Sequence, residues 1–322
     1  MATPLPPGIY VPIPTFFHED SSGEQPIDVE TITRHVKYLC SAGVHGIVSM
    51  GSTGEAVHLS TEERELILRT TRQALNDSAP KAKLLAGCSN ESVSGTLRLV
   101  EQAAKAGADY ALILPPSYFL TWIINRTDVI ASFYTKVADK SPIPIIIYNC
   151  PGVTQHLDTP QETIVKLAAH PNIVGIKCTD GNVGKASYIC ANTDRTKFTV
   201  MSGAADCFLP FLTIGAQGCI PGFGNFVPRL LLQIFNLYNK HSSEDWKELQ
   251  QLQDQMIGPD HAISRWNGVP GLKTVMQDVF GYGGLPRAPL LPSPEDGLRA
   301  VVKAVEPALA IERQLEATSS NK

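Results

Sequence analysis

Three short segments of this 322-residue chain carry residue types that can do covalent and proton chemistry. The first is Gly175-Ile176-Lys177-Cys178-Thr179-Asp180-Gly181, where a lysine closes an apolar run. Period-two alternation sets Ile176 and Cys178 on one face of a strand and Lys177 with Gly175 on the other. If Ile176 packs outward, Lys177 faces an interior, where burying an ammonium is costly and its pKa falls. A neutral lysine attacks a ketone to give an imine, and the imine is an electron sink for C–C cleavage. On position alone, a lysine snorkelling from a strand end into solvent remains open beside that reading. The second segment is Ile145-Ile146-Ile147-Tyr148-Asn149-Cys150-Pro151-Gly152. Tyr148 shares a face with Ile146 at the strand end, and a phenol there can shuttle a proton between substrate and solvent. An ordinary core aromatic fits the residue type as well. The third is Ser49-Met50-Gly51-Ser52-Thr53-Gly54-Glu55, in which two glycines bracket two hydroxyls shortly before a helix. Backbone N–H groups and hydroxyls in such a turn can hold a carboxylate, although the same string is also a common turn.

Elements must exist to bring these segments together. Eight short apolar runs recur: 9–17, 46–50, 83–87, 110–114, 143–148, 173–177, 198–201 and 218–221. Most lack polar alternation, as expected of strands covered on both faces. Helical spacing fills the gaps at 28–42, 61–75, 92–106, 129–138, 160–169, 183–191, 207–214 and 228–238. The second of these opens Ser60-Thr61-Glu62-Glu63, a capping box. Eight strands alternating with helices predict parallel βα units closed into a (β/α)8 barrel of the TIM type rather than an open sheet. In such a barrel, function sits at the C-terminal strand ends, where all three segments fall. From about residue 241 strand-like runs stop, while helical patterns continue at 243–256, 271–279 and 294–315. The expected organisation is therefore a barrel over 1–240 carrying the active site and a helical region over 241–322 packed on it. Residues 318–322 read as a disordered tail.

Composition narrows the function classes. Hydrophobic residues make up 43% and charged residues 18%, ordinary for a globular protein. Net charge is −4, and no block of Lys and Arg could track a phosphate backbone, so nucleic acid is not an expected partner. The seven cysteines are dispersed without a CxxC pair, and the eight histidines show no ligand spacing, so no metal is expected. No Gly-Lys-Ser/Thr follows the Gly51 turn and no G-x-G-x-x-G follows a strand, which disfavours nucleotide cofactors. The N-terminal residues carry neither a signal peptide nor an Arg-rich import sequence, and no 18-residue apolar run occurs. A cytoplasmic protein without membrane attachment is the expectation.

Gly51-Ser52-Thr53-Gly54-Glu55, Tyr148-Asn149-Cys150-Pro151-Gly152 and Gly175-Ile176-Lys177, in that order and at those separations, resemble the dihydrodipicolinate synthase and N-acetylneuraminate lyase superfamily. Ser202-Gly203-Ala204-Ala205-Asp206 and Gly218-Cys219-Ile220 extend the match, so that it covers nearly the full chain. The resemblance implies a barrel with a three-helix C-terminal part, usually a homotetramer, acting on a small 2-keto acid without a cofactor. By position it implies that Lys177 forms the imine with pyruvate and that Tyr148 is the proton relay, joined by Thr53. It implies that Gly51, Ser52 and Thr53 bind the keto-acid carboxylate, with Gly203 and Ile220 also at the site. Tyr118, in Pro115-Pro116-Ser117-Tyr118, resembles the tyrosine that members lend across a dimer interface, although Ser117 stands where many have a second aromatic.

Departures bear on the substrate. Synthases of the family carry Pro-Ser-Arg-Thr after the tyrosine motif, whereas this chain has Pro151-Gly152-Val153-Thr154. Val153 thus removes the cation expected to hold aspartate semialdehyde, and Cys178 stands where synthases often have Glu. The opening residues 6–17 are similar to fungal 2-keto-3-deoxy-L-galactonate aldolases. The expected activity is a class I aldolase that cleaves a 2-keto-3-deoxy sugar acid to pyruvate and an aldehyde such as glyceraldehyde, reversibly. A dihydrodipicolinate synthase, a 4-hydroxy-2-oxoglutarate aldolase and a barrel that binds a keto acid without turnover are the alternatives.

Overall fold

The computed structural model describes residues 2–18 and 24–320. Eight parallel strands close a barrel in sequence order: β1 Gly8–Pro12, β2 Gly46–Ser49, β3 Lys83–Gly87, β4 Tyr110–Ile113, β5 Ile145–Asn149, β6 Ile173–Cys178, β7 Thr199–Ser202 and β8 Gly218–Cys219. The first run is shorter than its apolar span because Pro12 and Pro14 have no N–H to give a ladder. Beyond it, Phe17 makes an antiparallel bridge to Ile27. Closure is made at β1 and β8, where Gly8 pairs with Gly218. A Cβ on Gly218 would fall 1.9 Å from the Gly8 carbonyl oxygen, so only glycine permits this approach.

The helices follow the apolar periodicity: α1 Val29–Ala42, α2 Thr61–Ser78, α3 Val93–Lys105, α4 Leu120–Ile123, α5 Thr127–Ala138, α6 Gln161–Ala168, α7 Val183–Asn192, α8 Phe208–Thr213 and α9 Pro228–Asn239. The four-residue α4 was not foreseen from the sequence; it is too short to leave a period. The capping box of α2 is formed, with Glu63 N donating to Ser60 Oγ at 3.2 Å and Ser60 N donating to the Glu63 carboxylate at 2.8 Å.

Two layers of core result. Inside the barrel, Tyr10, Val48, Leu85, Tyr110, Ile146, Met201 and Ile220 fill the lumen. Outside it, the opposite faces of the strands meet the helices, with Ile47, Ile147, Ile176 and Cys178 in that layer. The C-terminal segment adds α10 Trp246–Asp260, a wide turn over His261–Asn267, α11 Gly268–Phe280 and α12 Glu295–Ser320. Leu249, Met256, Leu272 and Val301 join the same outer core as the barrel residues. The tail expected to be disordered from 318 is helical through Ser320, where Thr318 Oγ1 donates to Gln314 O at 2.8 Å; Asn321 and Lys322 lie outside the described residues.

Gly218→Ala should lower stability by about 1–3 kcal/mol through overpacking at the closure. The check is the midpoint of urea unfolding; an unchanged midpoint would mean the seam can open to accept a methyl group.

Candidate active site

Lys177 is the penultimate residue of β6, and Tyr148 stands beside it in register on β5. The outward faces of β5 and β6 bury Ile147, Ile176 and Cys178 against helices, which turns Lys177 and Tyr148 into the lumen. Lys177 is 4% exposed, and its Nζ lies 4.2 Å from the centroid of the Tyr148 ring. Burial pulls its pKa down to about 8, opposed only by the nearby Cys150 thiol. The snorkelling alternative is thereby excluded, because the chain turns the amine inward rather than out to solvent. Tyr148 is likewise buried, and its hydroxyl shares a 3.0 Å hydrogen bond with Ser52 Oγ. Burial first, and the Cys150 thiol second, hold the phenol well above its ordinary range, with the Ser52 hydroxyl opposing. Tyr148 is therefore a neutral O–H at physiological pH.

The Gly51–Gly54 turn follows β2 and carries Ser52 to this meeting point. Gly54 N donates to Gly51 O and Glu55 N to Ser52 O, each at 3.1 Å, and Thr15 Oγ1 fixes Gly54 O at 2.7 Å. A cavity of about 670 Å³ opens from here; its walls include Gly51, Ser52, Tyr148, Val153, Ser89, Asn90, Arg64 and Leu290. Of the residues singled out in the sequence, Gly51, Ser52, Tyr148 and Val153 line it, and Lys177 lies against the Tyr148 ring. Thr53 is half-buried one residue beyond Ser52 and is not a wall residue. Ile220 packs in the lumen with Tyr148 and Met201. Gly203 closes against β6, its N–H donating to Cys178 O at 2.6 Å, where a Cβ would meet that oxygen at 2.7 Å. Tyr118 is 71% exposed and lies apart from the cavity, in edge contact with Phe119, which stacks on Trp122.

Several positioning residues were not found from the sequence. Asn149 is fully buried on the outer face of β5; its amide donates to Asp158 at 2.8 Å and Asp180 at 2.9 Å, and its oxygen accepts from Thr159 N. Lys185, on α7, pairs with both of those aspartates. This knot ties the end of β5, which bears Tyr148, to the end of β6, which bears Lys177. Arg64 of α2 donates to Ala56 O at 2.8 Å and Gly87 O at 2.6 Å, clamping the stretch after the Gly51 turn to the end of β3. From the C-terminal helices, Asp260 accepts from Ala205 N and Asp206 N, fixing the turn after β7. Polar residues spread from Arg64 to Asp260 leave no local spacing to read, so only the Asp180–Lys185 proximity was a signal.

An enclosed amine, a neutral phenol and a hydroxyl turn at the C-terminal mouth of a (β/α)8 barrel fit the needs of a carbon–carbon lyase that works on a carbonyl substrate. A sequence profile of the Dihydrodipicolinate synthetase family matches residues 6–308, and the chain belongs to that family. It is similar to L-threo-3-deoxy-hexylosonate aldolase of Aspergillus niger, at 36% identity over 97% of this chain and 98% of that one. It is also 37% identical to a protein of Emericella nidulans named "Probable 4-hydroxy-2-oxoglutarate aldolase, mitochondrial", over 97% of this chain and 98% of that one. Among solved structures, a dihydrodipicolinate synthase family protein from Coccidioides immitis superposes with a TM-score of 0.84 at 30% identity, covering 98% of this chain and 100% of that one. The chain is thus a pyruvate-dependent lyase of the aldolase type.

Two expectations follow from the geometry. Lys185→Met strands one buried and one half-exposed carboxylate, and should cost about 2 kcal/mol, less than a fully buried pair because solvent screens Asp158; denaturant unfolding measures it. Because burial lowers the Lys177 pKa to about 8, the free-amine fraction is about half at that pH and levels off roughly one to two pH units above it. The rate of imine formation measured between about pH 6 and 10 should show its midpoint near 8, and a rate still climbing without a plateau at pH 10 would contradict the burial argument.

Proposed function

We propose that the enzyme is a class I aldolase for a 2-keto-3-deoxy sugar acid, cleaving it to pyruvate and an aldehyde and running the reaction in both directions. The observation that carries this reading is the Lys177 amine, buried against Tyr148 at the barrel mouth without a compensating carboxylate among the described residues. In the cleavage direction, Lys177 Nζ attacks the C2 ketone, and loss of water gives the protonated imine. The C4 hydroxyl proton passes to Tyr148 as the phenol passes its own proton toward Ser52, 3.0 Å away; Thr53, by resemblance, continues that relay. The C3–C4 bond breaks, the aldehyde leaves, and the bonding electrons come to rest as an enamine with neutral nitrogen. Protonation at C3 and hydrolysis release pyruvate and the free amine. Ser52, Thr53 and the N–H groups of the Gly51 turn bind the substrate carboxylate, with Gly203 and Ile220 closing the far side. The chain's own residues suffice for this sequence, and no metal enters it.

For the substrate, Val153 lines the cavity and is 48% exposed, offering an apolar surface where a second carboxylate would need a cation. The names of the Aspergillus niger relative and of a Hypocrea jecorina protein 37% identical to this chain, both L-threo-3-deoxy-hexylosonate aldolase, support a deoxy-hexulosonate over aspartate semialdehyde. The Emericella nidulans relative keeps 4-hydroxy-2-oxoglutarate as the second reading; Arg64 borders the cavity, although two of its guanidinium nitrogens are given to Ala56 O and Gly87 O. The exposed cluster of Tyr118, Phe119 and Trp122 supports assembly as a homotetramer with Tyr118 at a dimer interface. A cytoplasmic location belongs to the same proposal, while the Emericella nidulans relative is named mitochondrial. Among the described residues no helix is long and apolar enough to cross a membrane.

Tyr148→Phe should lower kcat for cleavage by about 10²–10⁴-fold while leaving imine formation with pyruvate intact; equal loss in both would deny Tyr148 its relay role. Activity should survive exhaustive chelation, and a strict metal requirement would sink the imine mechanism. Assayed against aldehydes in the condensation direction, the native enzyme should favour glyceraldehyde over aspartate semialdehyde, and Val153→Arg should shift that ratio toward the semialdehyde. An unchanged ratio would remove Val153 from the specificity argument.

A further inference from the structure

Glu55 directly follows the Gly51–Gly54 turn and is buried, with its side chain fully enclosed. Its backbone is left-handed, at φ 52° and ψ 36°, a conformation unfavourable for a non-glycine residue that persists only where surroundings impose it. The surroundings come from the C-terminal segment. Lys273 of α11, itself fully enclosed, brings Nζ to 2.6 Å from Glu55 Oε1, a close ion contact, and donates to Leu285 O at 3.0 Å. The other carboxylate oxygen accepts from Arg287 N at 2.8 Å and lies 3.3 Å from His58 Nδ1. The Glu55 N–H in turn donates to Ser52 O. A rigid chain of contacts therefore runs from α11 to the very residue whose hydroxyl meets Tyr148. Nothing in the imine chemistry uses Glu55 or Lys273, and a buried ion pair is weak as a source of stability alone.

We infer that Glu55 and Lys273 are a positioning pair that sets the Gly51–Gly54 turn for the keto-acid carboxylate, so that the C-terminal helices contribute to substrate affinity. This rests on the proposed carboxylate role of Ser52 and Thr53. Glu55 borders the cavity, but its side chain and that of Lys273 are fully enclosed, so the pair acts through the turn rather than on the substrate. The sign of the effect separates positioning from charge. Glu55→Gln removes a negative group beside an anion site, so electrostatics alone would tighten pyruvate binding, whereas a misplaced turn weakens it.

The test compares native enzyme with Glu55→Gln, Lys273→Met and the double variant Glu55→Gln/Lys273→Met, which leaves no unpaired buried charge. For each, the melting temperature is recorded alongside borohydride trapping over a range of pyruvate concentrations. The half-saturating pyruvate concentration should rise about tenfold in every folded variant, equivalent to about 1.4 kcal/mol, with the limiting trapping rate within about twofold of native. A folded variant whose half-saturating concentration is unchanged or lower overturns the inference, and the double variant decides the matter if a single one does not fold. Ser52→Ala and Thr53→Ala are run beside them. If those two leave the pyruvate dependence unchanged, the carboxylate reading fails; if they raise it and the pair variants do not, only the positioning role fails.

Discussion

The cost of enclosing one ammonium group governs this structure. Lys177 sits in the lumen with an aromatic face beside it and, among the described residues, no carboxylate to neutralise it, and burial lowers its pKa to about 8. An ion-paired lysine would hold its proton more tightly, and an exposed one would be almost wholly protonated at neutral pH, whereas a pKa of about 8 leaves on the order of a tenth of Lys177 as free amine. The barrel supplies the third condition. Its inner residues fill the lumen beneath the site, and the strand ends deliver the amine, the Tyr148 phenol and the Ser52 hydroxyl to one place.

Holding these groups in place falls to polar contacts outside the lumen. Asn149, Asp158, Asp180 and Lys185 lock the ends of β5 and β6 together. Arg64 clamps the stretch after the Gly51 turn to β3, and Asp260 and Lys273 reach from the C-terminal helices to the turns after β7 and β2. The helical extension is thus part of the site's scaffold as well as a cover for apolar surface. The same division explains why the chemistry is carried by few residues while many distant ones fix its geometry.

The strands and barrel helices were legible because each is a local apolar pattern, and most boundaries fall within about two residues of the observed ones. The exceptions have physical causes. Pro12 and Pro14 end the first strand early, and α4 is too short to show periodicity. Lys177 and Tyr148 were readable because period-two alternation at the end of an apolar strand fixes a direction. Ser52 was readable only as one of two hydroxyls, and the structure selects it as the partner of Tyr148. Glu55 with Lys273, and Asn149 with Lys185, were invisible because their meaning lies in pairings across the fold. No local pattern announces that a lysine 218 positions downstream will meet Glu55.

Trapping with pyruvate and borohydride, followed by peptide mapping, asks whether Lys177 forms the imine. A reduced pyruvyl adduct should appear on the peptide bearing Lys177 and be lost in Lys177→Ala. An adduct on another lysine, or none at saturating pyruvate with a folded protein, would contradict it.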